Sequence, residues 1–398
     1  MNLVVAILLA AALSADSRPN EVPPADVAKA RELIKQLADS RFKVRDAAEK
    51  QIVSLGLASL DPLKDGEKHP DLHVQERCRL LQPMIRALTL QRRIDAFLAN
   101  RDGPIPANLP LAASFLKLTE DSKEARKLYA EILVINPQML DTIDQDKVKG
   151  TAMFVSYCQE VQQRSQYVPG VDYRERQKLI TRADVALYFL LSSELSQDRT
   201  GRVSSYGYTF MNAPALPETL GKEDADSAVF KKLFLNWVEK EPQPYMVQRA
   251  VQIASDAKMK EALPLVLKLI ERKDLQGYAR AQTALLLTRV GTKEHIKLME
   301  PLLEDKVVIG NFGINNKMAQ VQMRDVALAV CIKLSGQKMS DYPFDVMQGG
   351  DANIHQSYIY CAFSNDEKRE EAQKKYKESK GKSPQTKEPS PKDPQPKK

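Results

Sequence analysis

His69 and His73 stand four residues apart, the spacing that sets two imidazoles on one helix face and, with further ligands such as the nearby Glu76 and Cys78, can hold zinc. The pattern does not close. Pro70 and Asp71 read as a helix start, which leaves His69 in the preceding turn, and the chain holds neither HExxH nor CxxC. The acidic stretch DTIDQDKVKG, residues 141–150, invites comparison with a calcium loop. Counted from Asp144, however, the glycine falls at position seven instead of six, and Val155 stands where the bidentate glutamate belongs. There is no GxxxxGK[ST], GxGxxG or GxSxG segment, and four histidines in 398 residues offer a nucleophile few bases. The sequence therefore assigns no catalytic residue, no cofactor and no metal.

Exposed aromatics on loops are the remaining chemical signal, because loops held by a rigid scaffold often bind. A long loop is predicted over 197–222, carrying Tyr206, Tyr208 and Phe210. A second, KVVIGNFGINNKMA, places Val308, Ile309 and Phe312 between two helices. Tyr206, Tyr208, Phe210, Ile309 and Phe312 are the partner-binding candidates; the structural alternative is that they cover an end or seam of a helical stack. A third loop, SDYPFDVMQGGDANIHQSY, is read as a cap folding back on the last helices.

The elements that would carry these loops are helices in pairs. Ala30, Leu33, Ile34 and Leu37 recur at i, i+3, i+4 and i+7 after Pro23, Pro24 and Asp26. Past Asp39 and Ser40, Val44, Ala48, Ile52 and Leu55 form a second stripe that Gly56 closes. Thirty positions on, Val74 and Cys78 fall where Val44 and Ala48 stood. Near the other end, KEALPLVLKLIE (260–271) lies over KEHIKLMEPLLE (293–304) after a shift of 33 positions, and each precedes a second apolar helix. Such periods predict an all-α chain of stacked hairpins, an α-solenoid, since one hairpin cannot bury its stripe alone.

Pro264 or Pro301 in a first helix, an acidic turn at Asp39 or Glu304 and Asp305, and Arg45 or Arg324 opening a second helix resemble HEAT repeats. The resemblance spans about 26–90 and 240–336, so the chain divides into N-terminal repeats (25–100), a less regular helical middle (101–238), and C-terminal repeats with a cap (239–375). It implies that Asp39 with Arg45, and Asp305 with Arg324, tie neighbouring repeats together as a structural ladder.

The ends differ from the body. Residues 1–15, MNLVVAILLAAALSA, form an uncharged apolar run with Ala12, Ser14 and Ala15 at its end, the pattern of a secretory signal, followed by a linker over 16–24. About 13 helical residues span ~20 Å against a hydrocarbon core of ~30 Å, too little for an anchor. The chain is thus expected in a periplasmic or extracellular space, with no transmembrane segment in its mature form. The net charge of +7 is concentrated at the other end: from Lys374 onward nine lysines face Glu378, Glu388 and Asp393. A nearly neutral body lacks the clustered cations that nucleic acid requires, so no nucleic-acid partner is expected. The Pro/Lys-rich segment 376–398 reads as disordered, and it could tether the chain to an anionic envelope polymer. Cys78, Cys158, Cys331 and Cys361 are far apart in sequence and read as packing residues. The expected function is an exported, non-enzymatic helical scaffold that binds a protein or envelope partner through a concave face and its inserted loops. The alternative is an enzyme with its site near 197–222.

Overall fold

The computed structural model describes residues 23–100, 103, 105, 106, 108–166, 170–195, 202–272, 275, 277–314 and 317–380. The signal-like run and the Pro/Lys-rich segment after Lys380 lie outside them. The fold is all-α, with one two-stranded sheet among the described residues. No described helix is long and apolar enough to cross a membrane. The chain forms two compact units that divide after Cys158.

In the first unit, α1 (Pro24–Gln36) opens with proline at its first turn, where the missing N–H costs nothing. It pairs with α2 (Phe42–Leu55), and the next pair is α3 (Leu60–Gly66) with α4 (Leu72–Ala99). The predicted stripes meet: Leu33, Ile34, Ala48, Ile52, Leu63, Val74, Cys78 and Ile85 form one core. Full burial of each large aliphatic side chain contributes roughly 1.5–3 kcal/mol. Gly56 ends α2 at φ +61°, where a side chain would be strained. Asp71 caps α4 by accepting from His73 N–H at 2.8 Å, and His69 Nδ1 accepts from Asp71 N–H at 3.1 Å. Both histidines therefore sit at a helix entry. The second half of α4 buries Ile94 and Phe97, and Phe97 meets Tyr129 of α6 (Lys123–Ile135) with ring centroids 5.3 Å apart; α5 (Ala112–Thr119) precedes α6, and α7 (Pro137–Gln145) and α8 (Lys147–Arg164) follow, the unit boundary falling within α8. There Arg126 is 2% exposed; it forks onto Asp121 through two 2.7 Å bonds and lies over the Phe97 ring.

The second unit begins with α9 (Tyr173–Gln177) and α10 (Arg182–Glu194). Val185 to Leu191 are buried without interruption, so α10 is apolar on every side and belongs in a core. The segment predicted as one long loop instead holds three short helices, α11 (Arg202–Ser205), α12 (Gly207–Met211) and α13 (Ala215–Leu220). Tertiary packing overrides its Gly- and Ser-rich composition: Phe210 is fully buried and stacks on Tyr188 with ring centroids 4.3 Å apart. Phe210 is therefore a core residue and not an exposed binding aromatic. Helix α14 (Ala225–Lys240) adds Phe230, Phe234 and Trp237 to the same cluster.

Beyond it, α15 (Pro244–Asp256), α16 (Leu263–Glu271), α17 (Tyr278–Val290) and α18 (Ile296–Met299), with a 3-10 turn over Glu300–Glu304, lead to strands β1 (Val308–Ile314) and β2 (Lys317–Gln322). Helix α19 (Met323–Leu334) follows, then α20 (Gly350–Asn353) and α21 (Asp366–Lys380). Helix α15 packs on α17 and α17 on α19, with α16 beside α17. The expected loop at 306–318 is thus largely an antiparallel hairpin, because Val307, Val308 and Ile309 favour extended backbone. Residues 354–361 pack on α17, where Gln282 Nε2 donates to the His355 carbonyl at 3.0 Å. The final helix runs five residues into the segment expected to be disordered and buries Tyr376. All four cysteines are buried and free, and burial pushes the Cys78 and Cys331 thiols up to about 11.

Candidate functional site

The inserted hairpin is the place where a predicted candidate, exposed apolar surface and a cleft coincide. Its register pairs Val308 with Gln322 and Gly310 with Val321, so one residue, Ile309, has no partner across the ladder. A bulge of this kind re-aims a side chain. Ile309 lines a cleft of about 360 Å³ whose apolar walls are Ile270, Leu275, Val307 and Met323 and whose polar groups are Glu271, Arg272 and Arg280. That volume lies in the range of small-ligand and side-chain pockets. On the other side of the hairpin, Gly310 lies against Tyr358: a Cβ there would sit 3.1 Å from the Tyr358 hydroxyl oxygen.

The root of the hairpin is held by Asp305. Its Oδ1 accepts from Val307 N–H at 3.0 Å, its carbonyl accepts from Arg324 N–H at 2.8 Å, and its Oδ2 accepts from Arg280 at 3.2 Å. The Asp305–Arg324 pair implied by the HEAT resemblance is therefore a backbone contact. The Asp305 carboxylate goes to Arg280 of the preceding helix, and the Arg324 side chain goes to Gln322 at 2.6 Å and Asp366 at 3.4 Å. Asp39 and Arg45 need the same correction. Arg45 donates to the Asp39 and Ser40 carbonyls at 2.8 and 2.9 Å, while the nearer Arg41 takes the carboxylate and holds it down at about 2.

Behind Arg324 lies a charge cluster that the sequence did not reveal. Asp325 is fully buried; its Oδ1 accepts from Arg369 Nε at 2.7 Å and its Oδ2 from Gln322 N–H at 2.9 Å, capping α19. Arg369 also donates to the Gln320 carbonyl at 3.0 Å and to Asp366, which ties the last helix to the hairpin. Burial raises Asp325 above the usual carboxylate range, against the pull of Arg369. Every member of the cluster has partners, and the arrangement clamps elements together.

The first candidate group is placed by α11 and α12. Tyr206 is half-buried, and Tyr208, 46% exposed, stacks on Tyr245 with centroids 5.7 Å apart. Below this stack Glu241 is 3% exposed and accepts from Ser204 Oγ and from Gln243 N–H, both at 3.0 Å. Desolvation raises its carboxyl, only partly offset by these bonds and by Arg272. Arg272 Nη1 in turn donates to the Glu241 carbonyl at 3.4 Å while its side chain lines the cleft. The surroundings of Tyr208 thus connect to the Ile309 cleft through Tyr245, Glu241 and Arg272. Phe312 is half-buried on β1 and is not among the cleft-lining residues. Arg272, Arg280 and Met323 escaped the sequence reading because their role depends on the hairpin folding beside them.

Chemically, the cleft offers two guanidinium groups, one carboxylate and an apolar floor, a set suited to holding an extended chain through side-chain packing and donors for carbonyl or carboxylate oxygens. No protein family matches the chain, and no curated protein or solved structure is similar to it.

Proposed function

We propose that this protein is an exported helical-repeat binding module of HEAT-like type, and that the hairpin over 308–322 with its adjoining cleft takes an extended segment of a partner protein. One observation carries the reading: Val307 (55% exposed) at the cleft, Val308 (42%) on β1 and Met318 (73%) on β2 present apolar surface to solvent. They do so on a hairpin whose β1 pairs, among the described residues, only with β2. An edge strand with exposed apolar side chains is a template for another chain, and soluble proteins ordinarily blunt it. A photocrosslinking amino acid at Met318, with cell fractions resolved by mass, tests the reading. A discrete adduct to one partner, lost in Ile309→Asp and absent with the crosslinker at the exposed Val148, is expected. No adduct, or the same adducts from both positions, would remove it.

A second reading, an enzyme, is favoured by Glu241, a buried acid bonded to the Ser204 hydroxyl at 3.0 Å. In the binding reading that bond serves packing of α11 on the 241–243 turn. Glu241→Gln then leaves the Met318 adduct intact.

A further inference from the structure

Helix α4 carries a surface that neither of its two cores uses. Its first half turns Val74, Cys78, Leu81 and Ile85 into one core, and its second half turns Ile94 and Phe97 into another. Between these faces Leu80 (59% exposed), Met84 (43%) and Leu88 (39%) follow one another at i, i+4 and i+8, beside the exposed small residue Ala87. Single exposed leucines are ordinary, whereas three along one ridge make a contiguous patch. Side chains four residues apart form the ridge that interlocks in the commonest helix–helix crossing, near −50°.

The ends of the ridge show which partner fits. One turn before Leu80 stands Glu76, and one turn after Leu88 stands Arg92. The neighbouring Arg77 is taken by Glu49 at 3.3 Å and Arg79 lies 4.0 Å from Glu67, but Glu76 and Arg92 are in no ion pair with a described residue. The series Glu76, Leu80, Met84, Leu88, Arg92 is complementary to itself when reversed. A two-fold axis at Met84 lays Leu80 against Leu88 of another copy and Glu76 beside its Arg92. A parallel pairing would instead juxtapose like charges.

We propose that α4 is a self-association surface, pairing antiparallel with α4 of a second copy of this chain about a two-fold axis at Met84. Three apolar side chains per copy supply only part of the roughly 800 Å² per partner of a standard interface, so the dimer dissociates in the micromolar range or weaker.

Sedimentation equilibrium of the full chain over a wide concentration range is the test. A reversible monomer–dimer equilibrium is expected, weakened by about 100-fold or more in Met84→Glu, which sets two carboxylates together at the axis. Glu76→Arg alone and Arg92→Glu alone each weaken it about 3- to 30-fold, and the double reversal restores it to within about twofold, as exchange of two exposed ion pairs per dimer predicts. Because all four native cysteines are buried, Met84→Cys adds one reactive thiol. It should form an intermolecular disulfide far faster than Val148→Cys, a control in the same unit that is 84% exposed. A chain that stays monomeric up to about millimolar concentration overturns the proposal. So does a dimer indifferent to Met84→Glu, single reversals that the double does not rescue, or equal crosslinking at 84 and 148. A ridge covered by the apolar residues 1–15 of the same chain would also overturn it, showing as protection of that segment from protease without a change in mass.

Discussion

Replacing Arg369 with Met tests whether the buried charge cluster clamps the second unit. The substitution keeps most of the side chain's volume and removes the donors to Asp325 (2.7 Å), the Gln320 carbonyl (3.0 Å) and Asp366. Asp325, with no exposed surface, loses the guanidinium bonded to it. Breaking one side of a buried pair costs about 3–5 kcal/mol, which for a unit of this size lowers the melting temperature by about 6–20 °C. Asp325→Leu alone leaves Arg369 its bonds to Asp366 and the Gln320 carbonyl and should therefore cost less. The double variant Asp325→Leu/Arg369→Met removes both charges, so its deficit shrinks to the lost cap at Gln322 N–H, about 0.5–2 kcal/mol, together with the Arg369 bonds to the Gln320 carbonyl and Asp366, and stays below the sum of the single losses. Trp237 is the only tryptophan, is 1% exposed and belongs to the second unit, so its fluorescence during urea denaturation reports that unit's unfolding. The sign with pH follows from the raised Asp325 carboxyl. With Arg369 gone, stability recovers as pH falls and Asp325 takes up a proton. A loss below about 1 kcal/mol in Arg369→Met, or a double variant as unstable as the sum of the singles, would refute the clamp.

Glu241 has a folded pKa raised by desolvation, so it contributes stability that is present below about 4.5 and lost as pH rises toward the folded value; Glu241→Gln should flatten that slope in the Trp237 transition. His355 has the opposite sign: burial first, then Arg289, lower its pKa, so stability is lost as pH falls below about 6.5, and His355→Gln should remove this acid-side loss. Gly310→Val drives a branched side chain into Tyr358 and should lower stability by about 1–3 kcal/mol and weaken the Met318 adduct, whereas Gly313→Ala, whose Cβ meets only Met318 at 3.8 Å, should have a far smaller effect.

Helical class and pairing were legible where periodicity was strong. Ala30, Leu33 and Ile34 of α1 and Ala48 and Ile52 of α2 lie on the predicted stripes and are buried, because a 3.6-residue repeat of apolar groups can satisfy itself only by facing another such stripe. The segment holding Tyr206, Tyr208 and Phe210 was less legible. Gly, Ser and Pro in that stretch lower the local helix propensity, yet Tyr188 and Trp237, distant in sequence, supply the aromatic core that draws Phe210 in and leaves Tyr208 outside. Composition ranks those three aromatics alike; packing separates them. The hairpin shows the converse, since β-branched residues at 307–309 announced extended structure that the surrounding helical periodicity obscured.

By itself the sequence determined that the strongly periodic stretches are helical, which faces they bury, and that Asp39 stands in the turn before a helix. These follow from interactions within a few residues of each other. Only the tertiary structure decided that Arg280, and not Arg324, takes the Asp305 carboxylate, and that Arg369 lies against Asp325 across 44 residues of chain. It alone brought Ile309 to Arg272 beside a cleft. A charged side chain goes to whichever counter-charge packing brings within about 3 Å, and burial, which no local pattern encodes, sets how much that contact is worth.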